Sequence, residues 1–250
     1  MTWSVLVVDA DTDEVLVAET PDAVLRTASV AKVLLLSALA EALEAGAVAA
    51  SELLERSVTA RVADSGLWHR LDVTALPVGD VATLVGTVSD NWATNVLVER
   101  LGLDVVQAVG PREGLRSTQL WDVVRDDRDP AHPPTLSTGT ATEWVSVLTR
   151  LHRGTWVSPA VSARVLGWLA GGADHSMVVG ALDLDPLVVS DGPVRVVSKT
   201  GTDDGVRCDV GLATGPGRTA AYAVLANDGD VSATLARMRG LGERLRAWVA

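Results

Sequence analysis

Ser29 and Lys32 stand three residues apart at the head of the apolar run TASVAKVLLLSALAEAL. If a helix begins at Ser29, the two side chains share a face and come within reach of each other. The chemistry such a pair offers is acyl transfer: an amine that has lost its own proton takes the hydroxyl proton as the oxygen attacks a carbonyl. Arginine could not serve here, because its guanidinium stays protonated in any protein setting. The chain has 2 lysines against 19 arginines, so each lysine is an exception to a strong preference. A helix start would add the positive end of its dipole and free N–H groups, both of which favour a developing oxyanion.

The elements that must hold this pair follow from patterning. Trp3 to Val8 and Val15 to Ala18 are short β-rich runs separated by DADTDE, which reads as an opening hairpin. From Ser29 to about Gly46 the sequence is apolar nearly all round, with Thr27 and Ser29 as candidate caps and a glycine at its end, as expected of a buried central helix. Helical patterns then recur at Val81 to Val88, Trp92 to Leu101, Thr140 to Leu151 and Pro159 to Leu169, separated by loops. The most irregular loop, Gln119 to Leu136, carries RDDRDPAHPP, whose prolines and mixed charges exclude a regular element. Strands return at Val194 to Lys199, Val206 to Ala213 and Thr219 to Ala226, and SATLARMRGLGERLRAWV closes the chain as an amphipathic helix. Two strands, a helical insertion, three strands and a terminal helix describe an α/β chain of the α+β kind, in which the hairpin joins the later strands in one antiparallel sheet of about five strands. One domain over residues 1–250 is expected, with a sheet lobe from 1–48 and 185–250, a helical lobe from 49–184, and a cleft between them.

Composition narrows the function classes. A net charge of -11 disfavours nucleic acid and anionic membrane surfaces as partners. One cysteine, Cys208, excludes an internal disulfide, and the four histidines are too scattered for a metal motif, so neither a metal nor another cofactor is expected. No apolar run reaches membrane-spanning length, and the first residues lack the features of a signal peptide. The chain as written therefore reads as cytoplasmic, although an exported protein shorn of its leader would read the same way. A small-molecule substrate and a monomeric protein are expected.

The second lysine, Lys199, opens Lys199-Thr200-Gly201 at the end of the strand VRVVS, and Ser89-Asp90-Asn91 lies between two helical stretches. Ser29-x-x-Lys32, Ser89-Asp90-Asn91 and Lys199-Thr200-Gly201, in that order, resemble the motif set of class A β-lactamases and penicillin-binding proteins. ADSGLW, VSDNWATNVLVERLG and STGTATEWVSVLTRL are also similar to segments of that family, and the likeness runs from Trp3 to the terminal helix. The resemblance implies a penicillin-recognising serine hydrolase with the β-lactamase/transpeptidase-like fold. It makes Ser29 the acylated nucleophile and Lys32 its proton acceptor, lowered in pKa by burial and by Lys199. Ser89 would relay a proton to the leaving nitrogen, and Asn91 would bind the substrate amide or hold Lys32. Lys199 and Thr200 would bind the substrate carboxylate, Gly201 would permit close backbone approach, and the N–H of Thr202 would join that of Ser29 in an oxyanion hole. Arg207 stands near where some class A enzymes keep a carboxylate-binding arginine, a placement that a solvated edge-strand arginine fits as well.

The chain departs from the family at one place. Class A enzymes hold a water-activating glutamate in the loop after the Ser-Asp-Asn helix, whereas STQLWDVVRDDRDPAHPPTLST contains none. Asp122, Asp126 or Asp127 could stand in, each one methylene shorter. Acylation is thus expected and hydrolysis of the acyl-enzyme is left open among three readings. These are a β-lactamase-type hydrolase with slow deacylation, a DD-peptidase or esterase of the same fold, and a penicillin-binding or sensor protein that does not turn over.

Overall fold

Strand β1 (Thr2–Asp9) buries Trp3, Val5 and Val7 on one side and Val8 on the other, so the sheet it belongs to must be covered on both faces. The computed structural model, which describes residues 1–63, 65–185 and 193–250, shows such a sheet. Asp9 folds the hairpin by accepting the N–H groups of Asp11 and Thr12 at 2.8 and 3.0 Å, and the chain returns as β2 (Val15–Glu19). The other three strands are β3 (Arg195–Asp203), β4 (Val206–Thr214) and β5 (Thr219–Asn227). The order is β2-β1-β5-β4-β3, antiparallel throughout, as the element order predicts. Every residue of β5, next to the hairpin in the middle of the sheet, is buried. β3 is an edge strand, which leaves one of its sides open to a ligand.

Terminal helix α7 (Val231–Val249) covers one face through Met238, Leu245 and Val249, together with the turn Val179–Ala181. The opposite face carries α5 (Ala141–His152), and α1 (Lys32–Glu44) is enclosed by the other helices. Between them in sequence come α2 (Val78–Val88), α3 (Asn91–Leu101) and α4 (Leu103–Arg112), and α6 (Pro159–Leu169) follows α5. Every residue of α1 from Lys32 to Ala40 is buried, because α2, α3, α4 and α6 all pack around it. That explains its all-round apolar sequence. Helix α4 escapes a pattern-based reading because Gly110 and Pro111, residues that read as helix breakers, fall inside its last turn, although Val106 and Val109 supply a buried face.

One expectation is corrected. The helix does not begin at Ser29: residues Ala28–Ala31 form a 3-10 turn and the α-helix starts at Lys32. Neither candidate cap acts as one, and the Thr27 hydroxyl is paired with Ser137 Oγ at 2.7 Å. Ala28 sits at φ +46°, a left-handed conformation that a non-glycine residue holds only where its surroundings demand it. Here the demand comes from Leu25–Arg26, which pairs with Ser137–Gly139 and ties the approach to Ser29 onto the loop side of the molecule.

Candidate active site

Lys32 Nζ points out of the buried first turn of α1 and finds its partners on the junction between α2 and α3. It donates to the Ser89 carbonyl at 2.7 Å and to Asn91 Oδ1 at 2.8 Å, and lies 3.2 Å from Ser89 Oγ. Ser89 ends α2 in the left-handed conformation, φ 56° and ψ 34°, which turns both its carbonyl and its hydroxyl toward the lysine. Asp90 builds this corner. Its Oδ1 caps α3 at Ala93 N, 2.9 Å, and its Oδ2 accepts the N–H groups of Leu67 and Trp68 at 2.7 and 2.8 Å. Asn91 Nδ2 donates to the Ala63 carbonyl at 2.9 Å, which sets the amide so that its oxygen faces Lys32.

Lys32 is wholly buried. Burial, and then the neighbouring Lys199 cation, hold its pKa well below that of an ordinary lysine, while Asp90 pulls weakly the other way.

Strand β3 supplies the facing wall. Lys199 Nζ donates to the Thr200 carbonyl at 2.8 Å. Burial lowers its pKa to about 8, and Asp174 and Asp209 on either side oppose the fall. Gly201 is where β3 crosses the turn before Ser29: a Cβ there would run into the Thr27 carbonyl oxygen and lie 3.0 Å from Val30 Cγ2. A cleft of about 390 Å³ results, lined by Ser29, Ser89, Lys199, Thr200 and Thr202 among others. Asn91 does not line this cleft. It lines, with Ser29 and Thr202, an adjoining recess of about 70 Å³. Arg207 is the cross-strand partner of Thr202; its guanidinium donates to the carbonyls of Asp203 and Val206 at 2.9 and 2.7 Å, and it lines neither space itself.

Two acids near Lys199 escape the motif reading. Asp174, on the loop after α6, lines the cleft; burial raises its pKa, but hydrogen bonds from Ser176 and Thr200 and the Lys199 cation outweigh that and hold it low. Asp209 is paired across the sheet with Thr200 and is fully buried, accepting from Tyr222 Oη at 3.1 Å and from Val178 N at 3.0 Å. Burial raises its carboxyl to about 7. An acid in the middle of the apolar strand Val206–Thr214 is the signal that could have flagged it. Cys208 is an inert core thiol, raised to about 12 by burial.

The loop aspartates are engaged elsewhere. Asp122 is buried and gripped by Arg125 Nε at 2.7 Å and Arg128 Nη1 at 2.6 Å. Exposed Asp126 accepts Ala63 N at 2.7 Å, and Asp127 is exposed. None of the three lines the cleft or the recess. Asp122 thus has a structural task, and Asp122→Asn is expected to cost about 1–3 kcal/mol, less than a fully buried pair because both guanidiniums are partly solvated. The Arg125 and Arg128 partners hold its carboxyl low against the effect of burial, so this stability is present above the ordinary carboxylate range and is lost as pH falls through the depressed value. Urea midpoints measured across acid pH should show that loss in the wild type and not in the Asn variant; equal midpoints at neutral pH would remove Asp122 from the loop's support.

Among the described residues no helix is long and apolar enough to cross a membrane, and no cluster of His, Cys, Asp and Glu could hold a metal ion. A family model described as the beta-lactamase enzyme family matches residues 1–247. Solved structures that match include the beta-lactamase from Sphaerobacter thermophilus DSM 20745, at 26% identity and TM-score 0.84, covering 98% of this chain and 91% of that one. PBP-A matches at 20% identity and TM-score 0.80, over 99% of this chain and 89% of its own. The class A beta-lactamase from Mycobacterium abscessus matches at 20% identity and TM-score 0.80, over 100% and 94%. No curated protein sequence matches.

Proposed function

This chain belongs to the beta-lactamase enzyme family, and on that premise we propose that it is a serine acyl hydrolase that opens β-lactam amides through a covalent acyl-Ser29 intermediate. The observation that carries the reading is the Lys32 amine, buried, low in pKa and presented to Ser89 and Asn91 beside the cleft that Ser29 lines. In the first step Ser29 Oγ attacks the lactam carbonyl carbon while its proton passes to Lys32 Nζ. The tetrahedral oxyanion is met by the N–H groups of Ser29 and Thr202. The carbon–nitrogen bond then breaks, and the proton passes from Lys32 through Ser89 Oγ to the departing nitrogen. Lys199 and Thr200 hold the carboxylate of the leaving half, with Gly201 letting the strand approach.

The second step, attack of water on the acyl-serine, has no loop carboxylate to serve it. The acidic residue that lines the recess beside Ser29 is exposed Asp203, whose Oδ1 accepts Asp204 N at 2.8 Å. General-base assistance is worth roughly 10²- to 10⁴-fold, so deacylation is expected to limit turnover. Stopped-flow mixing with benzylpenicillin should give a burst near one equivalent of enzyme followed by a slow steady state, and intact-mass spectra should show a transient adduct. The placement of the loop aspartates favours a second reading, a penicillin-binding protein that does not turn over, for which the adduct would persist. No adduct at all would overturn both. Fast turnover with no burst would overturn slow deacylation and direct attention to Asp203.

A further inference from the structure

The cleft and the recess meet at Ser29 and Thr202 and share no other lining residue. A substrate with its carbonyl at Ser29 has two arms to place. The nitrogen arm belongs in the cleft, where Ser89, Lys199 and Thr200 stand, so the acyl arm is directed to the recess. We propose that the recess is an acyl-side specificity subsite that selects acyl groups bearing a carboxylate. The proposal rests on the reading of Ser29 as the acylated nucleophile.

The walls of the recess are mostly donors. Arg125 and Arg128 both line it, and both grip the single carboxylate of Asp122, which lies behind them and leaves one positive charge in excess. Asp122 takes Arg125 through Nε and Nη2. Arg128 is engaged further by the carbonyls of Pro133 and Val123. Among the described residues no hydrogen bond is made by Arg125 Nη1, whose two N–H groups remain for a ligand. Asp203 stands against this on the other wall, but it is exposed, and water screens its charge more than that of the partly buried guanidiniums. The recess is small, about 70 Å³, and a carboxylate is among the smallest charged groups that could enter it. A planar guanidinium is also the side chain best matched to a carboxylate.

The test has two arms. Phenylmalonic acid monoamide and phenylacetamide, the amides of an acyl arm with and without the extra carboxylate, are titrated into the resting protein while the Arg125 Nε–H signal is followed by NMR. The monoamide of phenylmalonate is expected to bind about tenfold tighter, the effect of one charge-assisted hydrogen bond, and to shift that signal. The preference should disappear in Arg125→Gln and increase in Asp203→Asn. This arm needs no acylation, so it stands or falls apart from the proposed reaction. In the second arm benzylpenicillin and its α-carboxy analogue compete for covalent labelling, and the analogue should acylate about tenfold faster in the wild type but not in Arg125→Gln. If Arg125→Gln fails to fold, Asp203→Asn, a surface change, carries the test. Equal binding of the two amides, or a preference that neither substitution alters, overturns the subsite even if benzylpenicillin acylates Ser29 normally.

Discussion

Ser29→Ala is expected to abolish covalent labelling by a fluorescent penicillin and to leave the fold intact. The residue lies in the short turn Ala28–Ala31, half-buried, where it lines both the cleft and the recess. Removing one oxygen there opens no cavity in the core and leaves the strained Ala28 backbone as it was, so thermal unfolding should move little. Of the serines lining the cleft, only Ser29 also lines the recess. Ser89 Oγ is 3.2 Å from the same lysine but sits at the end of α2, on the wall and not at the junction of the two spaces. Labelling that survives at the wild-type rate would remove Ser29 from the mechanism.

Lys32→Arg is the companion case, with an expected loss of roughly 10²- to 10⁴-fold in acylation rate. Arginine keeps a cation near Ser89 and Asn91 but cannot surrender its proton. Because a bulkier side chain also crowds a fully buried site, the pH profile separates the two causes. In the wild type, acylation should rise with pH as Lys32 loses its proton, at a pH well below the ordinary lysine range, and should fall above about 8 as Lys199 loses the charge that holds the substrate carboxylate. In Lys32→Arg the rising limb should vanish and the falling limb should remain. Near-native rates with both limbs intact would mean that Lys32 serves as a fixed cation and that the base lies elsewhere.

The sheet was readable because strands and helices differ in hydrophobic period, and because a hairpin at one end of the chain with three strands at the other closes most simply as one antiparallel sheet. The order β2-β1-β5-β4-β3 follows that expectation. The lysines were readable for a chemical reason: a chain that otherwise uses arginine keeps lysine where a proton has to be lost or a pKa tuned. Placing the partners of those residues required the folded chain. Ser29 and Lys32 were expected to face each other along one helix, yet Lys32 reaches 57 and 59 residues ahead, to Ser89 and Asn91, because the helix starts at the lysine itself. Arg207 has the residue type of a carboxylate binder and stands opposite Thr202 across the sheet, but its guanidinium is taken up by the carbonyls of Asp203 and Val206, partners that residue type alone could not name. The aspartates of the 119–136 loop showed the same limit. Sequence alone established that the loop carries acids and no glutamate. Whether any acid was available depended on which guanidinium or backbone N–H each one met, and only the tertiary structure decided that Asp122 would be closed off between Arg125 and Arg128.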